Sequence, residues 1–420
     1  MGKFIIKGNN RLYGSVNISS AKNSVLPILV STILTDGITT ISNAPMLEDV
    51  FVLCEVLKSL SAKVTIDKES RMIEIDNRYL NDSDIDNDLV RKMRASFLVV
   101  GALVARFGRA KISLPGGCKI GSRPIDLHLK GLKILGADIK EEGGYVEVTA
   151  EKLVGDNIYL DFPSVGATEN LMIAATLARG ITHIKNAARE PEIEDLARFL
   201  RKMGARISGD GTSTIVIYGV DCLKGVNYIP IYDRIEAGTF MTAAAITRGR
   251  IEITGINKEH LMPVIEKMKE IGAEIEICEN RMIFDGRNAH RGCNIVTMPH
   301  PGFPTDMQAQ IMSLLSMADG ESSIKETIFE NRYMHVQELR RMGARINING
   351  RIAIIEGVPQ LSGARVKATD LRAGAGLVIA ALGASGETIV DDIYHIDRGY
   401  VSLEDKLCGL GADIIRVEEV

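Results

Sequence analysis

A five-residue signature, apolar–Gly–Ala–charged–Ile, recurs along this chain at near-constant spacing and restricts its possible folds more than any other feature. It reads Leu135-Gly136-Ala137-Asp138-Ile139, Met203-Gly204-Ala205-Arg206-Ile207, Ile271-Gly272-Ala273-Glu274-Ile275, Met342-Gly343-Ala344-Arg345-Ile346 and Leu410-Gly411-Ala412-Asp413-Ile414. A weaker copy, Leu60-Ser61-Ala62-Lys63-Val64, opens the series. Its second position falls at 61, 136, 204, 272, 343 and 411, so one unit spans 68 to 75 residues. Self-similarity at a steady period means one supersecondary unit used repeatedly, here six times. Each copy closes an amphipathic helix such as Glu194 to Met203, where glycine suits a left-handed cap. A short strand-like run such as Glu274 to Cys278 follows each one.

Every unit also holds a second, more apolar helix ending before its own glycine: Gly37, Gly108, Gly180, Gly249, Gly320 and Gly386. Asn170 to Arg179 and Phe240 to Thr247 are examples, apolar on nearly all sides, and such helices belong inside a core. The expected unit is therefore a buried helix, a strand, a surface helix and a strand. From the buried-helix glycine to the signature runs 24, 28, 24, 23, 23 and 25 residues, so the second unit is longer by about four.

The excess falls around Leu114-Pro-Gly-Gly-Cys118-Lys-Ile-Gly-Ser-Arg123-Pro124. Three glycines and two prolines oppose regular structure there. Cys118 is flanked by Lys119 and Arg123, and cationic neighbours activate a thiol. Length added to an otherwise regular unit at a connection is more often functional than structural.

The starts of the buried helices carry unusual polar groups. They are Lys22-Asn23, Arg94, Ser164 with Thr168-Glu169-Asn170, Asp233-Arg234 with Glu236, Asp306, and Asp370 with Arg372. Ser and Asp there read equally well as N-caps. Lys22, Arg94 and Arg372 do not, because a cation opposes the helix dipole and needs an anionic partner. A bound anion is the natural candidate. Arg332 and Arg398, in turn-like stretches, join Arg123 in suggesting a strongly anionic substrate.

Other classes are excluded or disfavoured. The net charge of −4 gives no basic face for nucleic acid. Six scattered cysteines lack C-x-x-C spacing, so neither a disulfide framework nor a zinc site is expected. The longest strictly apolar run, Phe97 to Ala105, falls far short of the roughly 20 residues that span a bilayer. No signal peptide is evident at the N-terminus, and a cytoplasmic chain without membrane, metal or cofactor is expected. No P-loop occurs, and Gly209-Asp210-Gly211 reads as a hairpin turn. His128, His300, His335 and His395 read as structural.

These residues resemble the UDP-N-acetylglucosamine 1-carboxyvinyltransferases, a family of enolpyruvyl transferases. The similarity runs through Asn17 to Asn23, Met93-Arg94-Ala95-Ser96, the Pro115 to His128 loop, Asn186 to Glu192 and Asp233-Arg234-Ile235-Glu236. It continues through Pro299 to Gln308, Thr327 to Arg332, Ala368 to Arg372 and His395 to Tyr400, and so covers essentially the whole chain. The resemblance implies an α/β fold, a two-domain inside-out α/β barrel of six βαβαββ repeats, with helices inside and sheets outside. It implies a first domain over 21–232, carrying the Cys118 loop, and a second over 1–20 plus 233–420.

It implies transfer of enolpyruvyl from phosphoenolpyruvate to the 3′-hydroxyl of UDP-N-acetylglucosamine, by addition and elimination through a tetrahedral ketal, as a step of peptidoglycan precursor synthesis. By the same resemblance Cys118 is the acid and a target of fosfomycin, and Asp306 faces the sugar hydroxyl. Lys22, Asn23, Arg123, Arg332, Arg372 and Arg398 contact phosphoenolpyruvate. Arg94, Arg123, Pro124, Ile125, Asp126, Leu127, Ser164, Val165, Asp306 and Ile328 line the nucleotide-sugar site. No cofactor is implied, the partners are the two small-molecule substrates, and a monomer is expected. One departure stands out: some members carry a basic residue just before Ser-Val-Gly, where this chain has Asp161-Phe162-Pro163. A related enzyme acting on shikimate 3-phosphate and a non-catalytic repeat scaffold are the alternatives.

Overall fold

The computed structural model describes residues 2–80, 97–113 and 125–418. Over these residues the chain divides into two compact units, one of residues 20–113 and 125–231, the other of 2–19 and 232–418.

The signature does what its glycine requires. Gly136, Gly204, Gly272, Gly343 and Gly411 all have φ between 93° and 117°, and Ser61 in the weak copy has φ 71°. Such backbone costs a side chain strain but costs glycine little. Gly204 and Gly272 are left-handed caps of Pro191–Met203 and Lys258–Ile271. The chain then turns into a strand, as at Glu274–Cys278.

Each repeat adds elements the periodicity left unstated. Asn157–Tyr159 runs parallel to Ile181–Lys185, and Thr214–Tyr218 pairs antiparallel on the other side, with Ile181 opposite Tyr218. The second and fourth strands of the repeat, Ile181–Lys185 and Thr214–Tyr218, thus sit centrally in an open, four-stranded sheet, with Arg206–Ser208 at its far edge. Five sheets have this pattern. The sheet of Arg109–Ser113, Tyr145–Thr149 and Asp138–Glu142 shows three strands among the described residues. The sheets stay separate, and none closes on itself among the described residues.

The predicted apolar helices are the interior. Lys22–Ser31, Val99–Phe107 and Val165–Ala175 pack together in one unit; Arg234–Ile246, Gln308–Leu315 and Leu371–Gly383 do so in the other. Every residue from Ile235 to Ile246 is buried. Small side chains bring these helices close. A Cβ on Gly376 would stand 2.9 Å from the Ala309 backbone. The Gly101 N–H donates to Asn170 Oδ1 at 2.9 Å. Sheet residues alternate between this interior and solvent, as period two dictates.

The N-terminal residues complete the unit that holds 232–418. Lys3–Lys7 inserts between Glu387–Asp391 and Asp413–Val417, with Ile5 opposite both Ile389 and Ile415. Tyr13–Asn17 lies parallel to Arg250–Thr254. The sixth repeat therefore takes one of its strands from the start of the chain.

Candidate active site

The polar starts of the inner helices separate into caps and one exception. Asp233 accepts from the Ile235 and Glu236 N–H groups at 2.8 and 3.1 Å. Asp370 accepts from those of Arg372 and Ala373 at 3.0 Å. Ser164 accepts from Ala167 at 3.3 Å. These are N-caps that satisfy orphan donors. Asp306 occupies the equivalent place ahead of Gln308–Leu315, in the short turn Thr305–Met307. Its carboxylate is held between two guanidiniums. Arg332 Nη2 reaches Oδ1 at 3.0 Å. Arg372 reaches Oδ2 through Nε at 3.2 Å and Nη2 at 3.1 Å.

The asymmetry of exposure matters. The Arg332 and Arg372 side chains are 3% and 4% exposed, and that of Asp306 is 27% exposed. Two desolvated cations need a close anion, and charge-assisted bonds of this kind fix orientation strongly. Arg332 lies over the Phe329 ring and Arg372 over that of Tyr400, 5.4 and 5.3 Å from the centroids. Burial works against the Arg372 charge, but Tyr400, Asp306 and Asp233 more than offset it and hold the group above its ordinary value. Gln310 Nε2 donates to the Asp306 carbonyl at 2.8 Å and to the Tyr400 hydroxyl at 3.2 Å, and that hydroxyl meets Thr239 Oγ1 at 2.9 Å. Arg372 Nη1 is buried and finds no acceptor among the described residues. A buried donor in this condition suits a ligand oxygen or an ordered water.

Other expected residues in this unit are placed as follows. The Ile328 N–H donates to Glu326 Oε1 at 2.8 Å. Arg398 is half-buried where the short helix Tyr394–Asp397 ends. His335 is buried beside Arg332 and Asp370; burial pushes its imidazole down to about 4, so it is neutral near pH 7, in keeping with a structural role.

In the other unit Lys22 begins the helix Lys22–Ser31, and its ammonium lies 2.6 Å from Asp49 Oδ2, with both side chains at most 10% exposed. The anionic partner expected for a cation at a helix start is present within the chain for both Lys22 and Arg372. Carboxylates of the chain itself, Asp49 and Asp306, already face them. Asp49 stands in the first turn of Glu48–Ser59, where the dipole also favours it. Asn23 is exposed, Ser164 and Val165 are half-buried, and Ile125, Asp126 and Leu127 open the helix Asp126–Ile134. Asp161 is paired with Lys130 at 2.7 Å, so a basic group does stand beside Asp161-Phe162-Pro163, supplied from another helix.

Arg94, Cys118, Arg123 and Pro124 lie outside the described residues. The extra length of the second repeat falls between Arg109–Ser113 and Asp126–Ile134. Of the other cysteines, Cys54 and Cys293 are buried, and burial pushes their thiols up to about 12 and about 11. Cys222, Cys278 and Cys408 are exposed. Among the described residues no group of three or more His, Cys, Asp and Glu side chains is placed to hold a metal ion. No described helix is long and apolar enough to cross a membrane. Sequence reasoning missed Asp49, Glu326 and Gln310. Nothing local distinguishes Asp49 from an ordinary first-turn acid, or Gln310 from a core helix position.

The EPSP synthase (3-phosphoshikimate 1-carboxyvinyltransferase) family model matches residues 6–407. A UDP-N-acetylglucosamine 1-carboxyvinyltransferase of Clostridium tetani is 60% identical, over 99% of this chain and all of its own. One from Geobacter metallireducens is 54% identical over the full length of both. The chain belongs to the UDP-N-acetylglucosamine 1-carboxyvinyltransferase family. Among solved structures, the enolpyruvyl transferase NikO from Streptomyces tendae matches with TM-score 0.90 and 26% identity, covering 99% of this chain and 98% of that one. EPSP synthase from Acinetobacter baumannii shares the fold, with TM-score 0.76 at 19% identity and full coverage of both chains. Members of this family are enzymes, and the inside-out α/β architecture of two units is that of these neighbours.

Proposed function

We propose that this enzyme transfers the enolpyruvyl group of phosphoenolpyruvate to the 3′-hydroxyl of UDP-N-acetylglucosamine and releases phosphate, supplying a peptidoglycan precursor. The observation that carries the reading is the Asp306 carboxylate held between two buried arginines, in a chain 60% identical over its length to a transferase of that name.

The chemistry needs a proton acceptor for the sugar hydroxyl, a proton donor for C3 of the enol, and cations around phosphate and carboxylate. Asp306 takes the first role: both oxygens are held by guanidiniums, and its side chain is 27% exposed. Its proton gained, the sugar oxygen bonds to C2 of phosphoenolpyruvate while C3 receives a proton, giving the tetrahedral ketal. Loss of a C3 proton with departure of phosphate restores the double bond. Cys118 is assigned the C3 proton by its likeness to the family's loop cysteine; Cys54 and Cys293 are buried thiols of raised pKa. Lys22, Asn23, Arg123, Arg332, Arg372 and Arg398 are assigned to phosphoenolpyruvate. Arg94, Pro124, Ile125, Asp126, Leu127, Ser164, Val165 and Ile328 are assigned to the nucleotide sugar. Residues 21–232 and 1–20 with 233–420 are read as its two domains.

Phosphate release from phosphoenolpyruvate tests the reading. Turnover with UDP-N-acetylglucosamine and none with shikimate 3-phosphate is the expected result; turnover with shikimate 3-phosphate, or with neither, refutes it.

A further inference from the structure

Glu326 lies just after the strand Glu321–Lys325 and is 1% exposed. A carboxylate that deep is costly unless its lone pairs are filled, and here four donors fill them. Oε1 accepts from Thr297 Oγ1 at 2.9 Å, from the Ile328 N–H at 2.8 Å and from the Phe329 N–H at 3.2 Å. Oε2 accepts from Thr305 Oγ1 at 2.9 Å. The Thr297 hydroxyl in turn accepts from the Thr327 N–H at 3.0 Å.

The donors come from two stretches of chain. Thr297 and Thr305 bracket the connection that ends at Asp306. Ile328 and Phe329 begin the connection that ends at Arg332, whose guanidinium lies over the Phe329 ring. Asp306 and Arg332 meet at 3.0 Å where these two connections end. One side chain therefore joins the neighbour of the proposed base to the backbone beside the proposed nucleotide-sugar wall. It does so with charge-assisted bonds, which define geometry more sharply than neutral ones.

We propose that Glu326 is a positioning residue: by binding Thr305 and the Ile328 and Phe329 amides with one buried carboxylate, it sets the register of Asp306 against Arg332 and Ile328. This rests on the activity proposed above. An error of about 1 Å at a reacting group is enough to lower turnover by roughly a hundredfold.

The test uses the full chain with Thr305→Val, Thr305→Ser and Glu326→Gln. Thr305→Val removes one bond at nearly constant volume, Thr305→Ser restores the hydroxyl, and Glu326→Gln keeps the shape without the charge. Steady-state kinetics should show kcat at least tenfold lower in Thr305→Val and Glu326→Gln. KM for UDP-N-acetylglucosamine should rise at least fivefold, and Thr305→Ser should recover to within threefold of the parent. A merely structural loss lowers the amount of active enzyme, which scales kcat and leaves both KM values unchanged. That pattern, or variants indistinguishable from the parent, overturns the proposal. Hydrogen exchange without substrates gives a reading independent of turnover. Residues 303–308 and 327–332 should lose protection together in Glu326→Gln, and unchanged protection in either segment overturns the proposal as well. A parent enzyme inactive with UDP-N-acetylglucosamine refutes the activity instead, and the exchange result still decides the role of Glu326.

Discussion

Asp306 shows how one side chain can look like its neighbours in sequence and differ in structure. Asp233 and Asp370 cap their helices; Asp306, at the matching place, bridges Arg332 and Arg372. Asp306→Asn keeps the size and one acceptor but removes the charge. Turnover should fall by roughly 10²–10⁴, the range of a positioned base, while UDP-N-acetylglucosamine, followed by calorimetry, binds within a few-fold of the parent. A rate loss below tenfold with collapsed affinity would make Asp306 a binding residue only. The variant should also melt at lower temperature, since it leaves two buried guanidiniums without their anion. Cys118 supports a second expectation at this scale. Fosfomycin, an electrophilic phosphonate of similar shape to phosphoenolpyruvate, should alkylate Cys118 and spare the rest. Cys54 and Cys293 are protected by burial and by pKa values pushed to about 12 and about 11, because only the thiolate attacks. Peptide mapping decides, and label found mainly on Cys222, Cys278 or Cys408 would contradict the assignment.

At the scale of the helix, the sequence was most readable where local chemistry dictates structure. The signature glycines are required by φ near 100° after a helix, so each helix end is marked in the chain itself. The inner helices are marked by apolar residues on all faces. Partnerships across the fold carry no such mark. Lys22 against Asp49 and Asp161 against Lys130 join different helices and loops, and neither spacing nor residue type specifies them. The inner helix Val165–Ala175 carries a further group of this sort. Glu169 is fully buried, and burial, reinforced by Glu192 and Glu190, raises its carboxyl well above the usual 4.5. The sign follows from linkage. Between 4.5 and the raised folded value the native state holds the proton and the unfolded chain does not. Its contribution is therefore complete below 4.5 and is lost as pH rises through the folded value. Melting temperature should fall from pH 5 to pH 8, and Glu169→Gln should flatten that fall. The flattening should be partial, because Glu236, also raised by burial, acts in the same sense. A variant with the same slope as the parent would mean that Glu169 is ionised in the native state.

For the molecule as a whole, six repeats were legible from the period, but the ownership of the sixth sheet was not. Lys3-Phe4-Ile5-Ile6-Lys7 alternates as a strand should, yet its partners lie 380 or more residues away, at Glu387–Asp391 and Asp413–Val417. Only the family resemblance anticipated that the first residues return to the second half. The register has a consequence for chain order. Lys3 stands opposite Val417, so a linker of a few residues can join 418 to 2. One compact unit then becomes continuous as 232–418, linker, 2–19. Permutation is tolerated where termini are close and the elements stay intact. This rearranged unit, expressed alone, should unfold cooperatively on heating. The same unit without 2–19 should not, because Glu387–Asp391 and Asp413–Val417 pair only through Lys3–Lys7 in that sheet, and because fully buried Phe4 and Ile6 leave the core. Circular dichroism melts of the two proteins make the comparison. A cooperative melt in the shorter one would show that the sixth repeat closes its sheet without the N-terminal strand, and the permuted order would then confer nothing.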